Sequence, residues 1–188
     1  MEWNRYYTLD IDETEWVQVW NNVHNNLLSF EIQSTIWTML HLNLYCGYKE
    51  KLFNYGEGIC KLFGEVEEGS HHIITECEVM KACINDYHST LLSLRGDIIS
   101  KDELAFGLVG DPIGEMSPKL NLGNFITLTI RHVVFKNRHM DFGGKESAKV
   151  ALKNRIKHKI KKQFINKWIE YRAKHAQDEC GLNYLVGA

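Results

Sequence analysis

The stretch KESAKVALKNRIKHKIKKQFINKWIEYRAKH, Lys145 to His175, decides the fold class. Ala148, Leu152, Ile156, Ile160, Phe164 and Trp168 recur every four residues along it, and basic residues take much of the remaining surface. That spacing belongs to a long helix with one apolar side. Because an α-helix has about 3.6 residues per turn, an every-fourth row drifts about 40° per step, so the seam should wind around the helix and cross its partner obliquely. Gly143-Gly144 precede it, and before them Leu122, Phe125, Ile126, Thr129, Ile130, Val133 and Val134 predict a further amphipathic helix.

Outward toward the N-terminus, Pro112 and Pro118 stand with Gly110 and Gly114 in the best candidate linker, residues 110–120. It would divide a helical domain, 1–109, from a two-helix basic region, 121–188. Ser100-Lys101-Asp102-Glu103 predicts a capping box for a short helix through Phe106. His72 to Leu94 has helical spacing, whereas Gly56, Gly58, Gly64 and Gly69 predict turns around a compact knuckle or hairpin. Phe30 to Leu44 suits a helix buried on more than one face, with Trp37 in the core, and Asp12 and Thr14 are good caps for a helix through Trp16, Val19 and Val23. The expected fold is mainly α: an irregular helical bundle with a small Gly-rich knuckle or hairpin and a long basic C-terminal helix.

At 188 residues, 44% of them hydrophobic, the chain can bury one sizeable core or two small ones. It has no run of about 18 apolar residues, and Met1 to Arg5 lacks the basic start and apolar run of a signal peptide, so an intracellular protein that spans no membrane is expected. The odd set Cys46, Cys60, Cys77, Cys83 and Cys180 reads as buried thiols or metal ligands in a reducing compartment. The net charge of −2 conceals an asymmetry: residues 1–130 hold 8 Lys and Arg against 19 Asp and Glu, residues 131–188 hold 14 against 5. Such a chain either clasps itself or offers its tail to a polyanion.

The most specific segment runs from Ile59 to Cys77 and resembles the zinc-binding knuckle near the C-terminus of LINE-type, non-LTR retrotransposon reverse transcriptases. That family has a Cys-x2-Cys-Gly turn, an acidic residue just before a His, and a Cys five positions after that His. Cys60, Gly64, Glu68, His72 and Cys77 match it. The looser likeness covers residues 16–90, including the lead-in from Ile36-Trp37 through Leu40-His41 and Leu44 to Leu52. The resemblance implies zinc on Cys60, His72 and Cys77, with RNA or DNA and the rest of a retroelement polymerase as partners. The family's second cysteine matches Phe63, which cannot ligate a metal. A structural zinc site normally closes a tetrahedron, so Cys46, His71 or Cys83 would have to supply the fourth ligand, or an apo knuckle would pack around Phe63. By composition alone Cys60 and Cys77 are small core hydrophobes.

Lys145 to Lys174 contains 11 Lys and Arg and two acids, Glu146 and Glu170. Such a helix binds phosphates with strong salt dependence and little sequence choice. The candidate contacts are Lys153, Arg155, Lys157, Lys159, Lys161 and Lys162; Phe164, Trp168 and Tyr171 are expected to pack in the core rather than stack on bases. The aromatic-x-Asp-Asp turn of a polymerase palm is missing, as are the Gly-x-Ser-x-Gly elbow, the P-loop and His-Glu-x-x-His. No small-molecule substrate is indicated. The chain is therefore expected to be a non-catalytic nucleic-acid-binding accessory segment. The alternatives are a structural retroelement remnant or protein-interaction module without nucleic-acid binding, and a metal enzyme with an open fourth position.

Overall fold

A computed structural model of the chain describes residues 12–41, 44–62, 64, 66–96, 99, 103, 106–107 and 117–185, without the side chains of Trp168, Tyr171, Arg172 and 174–185. It contains seven α-helices among these residues: α1 (Glu13–Asn22), α2 (Phe30–Leu40), α3 (Gly47–Leu52), α4 (Glu78–Asn85), α5 (His88–Arg95), α6 (Pro118–Asn137) and α7 (Lys145–Leu185). A π-helical turn, His72–Glu76, leads into α4. The described residues form no named strand, only an isolated antiparallel bridge between Ile59 and Glu67. The fold is mainly α, as the apolar spacing predicts. No helix among the described residues is long and apolar enough to cross a membrane.

Local signals explain the helix starts. Asp12 accepts from the amide of Glu15 at 2.8 Å while the Glu15 carboxylate accepts from the amide of Asp12 at 3.0 Å, a reciprocal cap that satisfies two otherwise orphaned donors. Ser117 accepts from the amide of Leu120 at 3.2 Å, and Pro118, preset for helical φ, begins α6. Pro118 therefore starts a helix inside the segment expected to be a linker; residues 110–116 of that segment lie outside the described residues. The helix expected over 100–106 is described only at Glu103 and Phe106.

Helix α6 is the spine. It packs on α2, α4, α5 and α7, and every residue from Gly123 to Val134 is buried. Its sequence reads as amphipathic, yet the polar positions are enclosed too, because neighbours cover all sides. Asn124 donates to Asn22 Oδ1 at 2.8 Å, and the Asn121 carbonyl accepts from Asn25 Nδ2 at 2.8 Å. Gly107, at φ +103°, leaves room for that polar join: a Cβ there would lie 2.8 Å from Asn124 Oδ1. One core cluster runs from Trp16 in α1 to Ile156 in α7, so the parts expected as 1–109 and 121–188 share a core.

Two expectations for aromatic residues fail. Trp37 is 48% exposed rather than buried. The buried side of α2 is Ile32, Thr35, Ile36, Met39 and Leu40, and one residue beyond Ile36 the helix has turned about 100° away from it. Trp37 instead meets Trp20 and His41 at the surface, with ring centroids 5.6 and 4.3 Å away. Among the described residues the buried tryptophan is Trp16, packed on Phe106. Along α7 the every-fourth row leaves the core as its drift requires: Ala148, Leu152 and Ile156 are buried, Ile160 is half-buried and Phe164 is 42% exposed. Phe164 still sets its edge against Phe125, at 5.1 Å between centroids, so it is neither core nor a free stacking platform. The Trp168 and Tyr171 side chains lie outside the described residues.

Candidate metal centre and basic surface

Between α3 and α4 the chain folds into the expected knuckle. Glu68 N donates to Gly58 O at 2.7 Å and Cys60 N to Val66 O at 2.9 Å, pairing the two arms. At the tip, Gly64 N donates to Cys60 O at 2.6 Å, with Gly64 in the left-handed region at φ +84°. The base admits only glycine at position 47, where a Cβ would lie 2.8 Å from the Gly58 carbonyl oxygen and 2.9 Å from Glu68 Cβ. Beyond the second arm, the π-helical turn carries His72 inward and hands the chain to Cys77, whose amide donates to His72 O at 2.7 Å.

Cys60, His72 and Cys77 converge: their ligand atoms all lie within 4.8 Å of one another, and the residues are 1%, 5% and 3% exposed. Around a tetrahedral zinc such atoms sit about 3.5–3.8 Å apart, so closing on an ion takes a contraction of at most about 1 Å. His72 Nε2 is buried and makes no hydrogen bond, the state of a ligand nitrogen rather than of a satisfied core histidine. The Cys77 thiol is held well below its ordinary pKa, chiefly by the Cys60 thiol and further by His72, against the opposing effect of burial. Two soft thiols and an imidazole are the donor set of a zinc-type site. The group could hold a metal ion. Cys46, His71 and Cys83 are not part of it. Burial pushes the Cys83 thiol up to about 12, and His71 points toward Glu76, 3.1 Å away. Phe63, at the motif's remaining ligand position, lies outside the described residues, as does the side chain of Cys180.

Two arginines that the sequence does not single out tie the knuckle to α6. Arg131, 2% exposed, donates to the Ile74 carbonyl inside the π-helical turn. Arg138 donates from Nε to Glu68 Oε1 at 3.2 Å and also donates to the Tyr45 carbonyl; Gly47 N donates to the same carboxylate oxygen at 2.9 Å. Glu68, the motif's acidic residue, is thus a buried anchor rather than a ligand. Only buriedness separates these arginines from surface ones, and neither motif nor spacing reveals it.

The six basic residues proposed for nucleic acid divide into two groups. Lys153 pairs with Asp86 at 2.8 Å and Lys159 with Glu31 at 2.9 Å, while Arg155 donates to Asn137 Oδ1. Lys145 pairs with Glu78, adding a further link between the basic tail and the acidic front. Lys157, Lys161 and Lys162 are exposed and make no ion pair among the described residues. On one helix, therefore, some basic residues pair with the acidic front and others face water. No family model, curated protein or solved structure matches the chain.

Proposed function

We propose that this chain is a non-catalytic nucleic-acid-binding module, accessory to a retroelement-type polymerase and built around a zinc knuckle with three protein ligands. The observation that carries the reading is the convergence of Cys60, His72 and Cys77. They stand 12 and 5 residues apart where the family motif wants them, and buried cysteines that merely fill a core need not meet a histidine with an unbonded ring nitrogen. Zinc would join the hairpin to the π-helical turn and so set the base on which α6 and α7 rest. With Phe63 at the motif's other cysteine position, Cys60, His72 and Cys77 alone would hold zinc less tightly than a four-ligand knuckle does. Contact with nucleic acid falls to Lys157, Lys161 and Lys162, whose charges are not spent on the acidic front.

The test is a titration of mixed-sequence single-stranded RNA with the full chain between about 50 and 200 mM salt. Affinity should fall with a slope near −0.7 per phosphate neutralised. Reversing Lys157, Lys161 and Lys162 to Glu should abolish binding and leave helicity intact, since none of the three has an ion-pair partner among the described residues. Absence of a complex at tens of micromolar protein in low salt would defeat this function.

The ion pairs of Lys145, Lys153 and Lys159 favour the second reading, a tail that only clasps the acidic front. In that case the parent chain binds no RNA, and Lys153→Glu with Lys159→Glu lowers stability.

A further inference from the structure

Helices α2, α6 and α7 enclose a groove of about 550 Å³ whose charged lining is Glu31, His132, Lys136, Arg155, His158 and Lys159. Three permanent cations and His158 face one acid, while His132, lowered to about 4 by burial, adds no charge near neutral pH. The Glu31 carboxylate is seated among them, with Oε2 accepting from Lys159 Nζ at 2.9 Å and Oε1 lying 3.5 Å from His132 Nε2. Lys136 and His158 make no ion pair among the described residues, so the groove holds more cationic capacity than its carboxylate uses. The cations act on the carboxylate itself: Lys159 above all, through its hydrogen bond, and Lys136 through its charge hold the Glu31 carboxyl below its usual range. The acid sits in the first turn of α2 with its side chain 56% exposed, so a displaced carboxylate would meet water.

We propose that this groove binds a phosphomonoester, the phosphorylated end of a nucleic-acid strand, which displaces Glu31 from Lys159. The identification as a strand end rests on the nucleic-acid reading above. A terminal phosphate carries about −1.5 to −2 charges and three acceptor oxygens, whereas a backbone diester carries one charge and would have to compete on equal terms with a tethered carboxylate. Glu31 therefore acts as a filter that admits the dianion in preference to the diester. The path onward is laid out on the same helix. Lys162 stands three and four residues beyond Lys159 and His158, on the same side of α7, and Lys161 stands three beyond His158. A strand anchored by its end in the groove would run directly onto Lys161 and Lys162.

The experiment compares one RNA sequence carrying a 5′-phosphate, a 3′-phosphate or hydroxyl ends, bound to the full chain at constant ionic strength, with inorganic phosphate as competitor. The parent should prefer a phosphorylated end by about tenfold, as expected for added charge-assisted hydrogen bonds. Lys136→Gln with Lys159→Gln should abolish the preference and leave binding of the hydroxyl-ended strand. Glu31→Gln should tighten hydroxyl-ended RNA and shrink the preference, while Glu170→Gln, an exposed acid on α7 outside the groove, should do neither. Equal affinity for all three ends in the parent overturns the groove site while hydroxyl-ended binding preserves the proposed function. A parent that binds no RNA overturns the function and the strand-end assignment; the groove then stands as a site for free phosphate only if inorganic phosphate shifts the amide resonances of Val133, Lys136 and His158 in the parent and not in Lys136→Gln with Lys159→Gln. No preference and no phosphate-dependent shift ends the proposal.

Discussion

Helices α6 and α7 are consecutive, and the sequence groups them as one basic region, yet they do opposite work. In α6 even Asn124, Thr129, Arg131 and His132 are enclosed, and two arginines from its second half and C-terminal end hold the knuckle. In α7 the apolar row stays buried from Ala148 to Ile156, about two turns, and then surfaces, leaving basic residues to pair with the acidic front or to face water. Charge is thus structural where it is buried and hydrogen-bonded, whereas on the surface it either pairs with an exposed carboxylate or faces water. Net charge along the sequence cannot make that distinction.

The largest difference between buried and surface charge is expected at Arg138. Replacing it by Met leaves Glu68 buried with its main cationic partner gone, and should cost roughly 3–5 kcal/mol, read by denaturant melts. Adding Glu68→Gln to Arg138→Met should recover part of that loss. Equal stability of parent and Arg138→Met would show that the knuckle is not anchored through α6. Next in size, Leu128→Ala in the spine should cost about 2–5 kcal/mol, whereas Ile169→Ala in α7, where the side chain is 58% exposed, should stay within about 0.5 kcal/mol. Similar losses in the two would erase the contrast between the helices.

A smaller effect lies in pH. Burial lowers His132 to about 4 from an ordinary 6.5, so between those values the unfolded chain binds a proton that the folded chain refuses. The stability this histidine contributes is complete above about 6.5 and is lost as pH falls toward 4. His132→Gln, which keeps a polar group near Thr35, should therefore lose less stability than the parent over that interval. A parent and variant with parallel pH profiles would place His132 in contact with water.

How much of this was legible beforehand follows from which interactions are local. Helical periodicity marked α7 and its obliquely drifting seam because both depend on near neighbours in sequence. The knuckle was legible because its glycines and its Cys, His, Cys spacing are local too. Trp37 was misplaced because hydrophobicity does not say which side of α2 a residue occupies when the sides are nearly equally apolar. The roles of Arg131, Arg138 and Glu31 were illegible, since each depends on partners brought from 57, 70 and 128 residues away. The split among the six basic residues has the same origin: Lys159 looks like Lys161 until α2 is folded beside it.

Cobalt(II) titration of the chelator-treated chain reads the knuckle's three candidate ligands directly. One equivalent should produce the near-ultraviolet charge-transfer absorption of thiolates bound to cobalt, and zinc should displace it. Cys60→Ser should weaken it and His72→Ala should raise the cobalt needed, while Phe63→Cys should tighten the site and, at zinc near 100 times Kd, raise stability by about 2.7 kcal/mol. Absence of thiolate absorption at millimolar cobalt, or a titration indifferent to His72→Ala, would contradict the claim that Cys60, His72 and Cys77 form a metal centre.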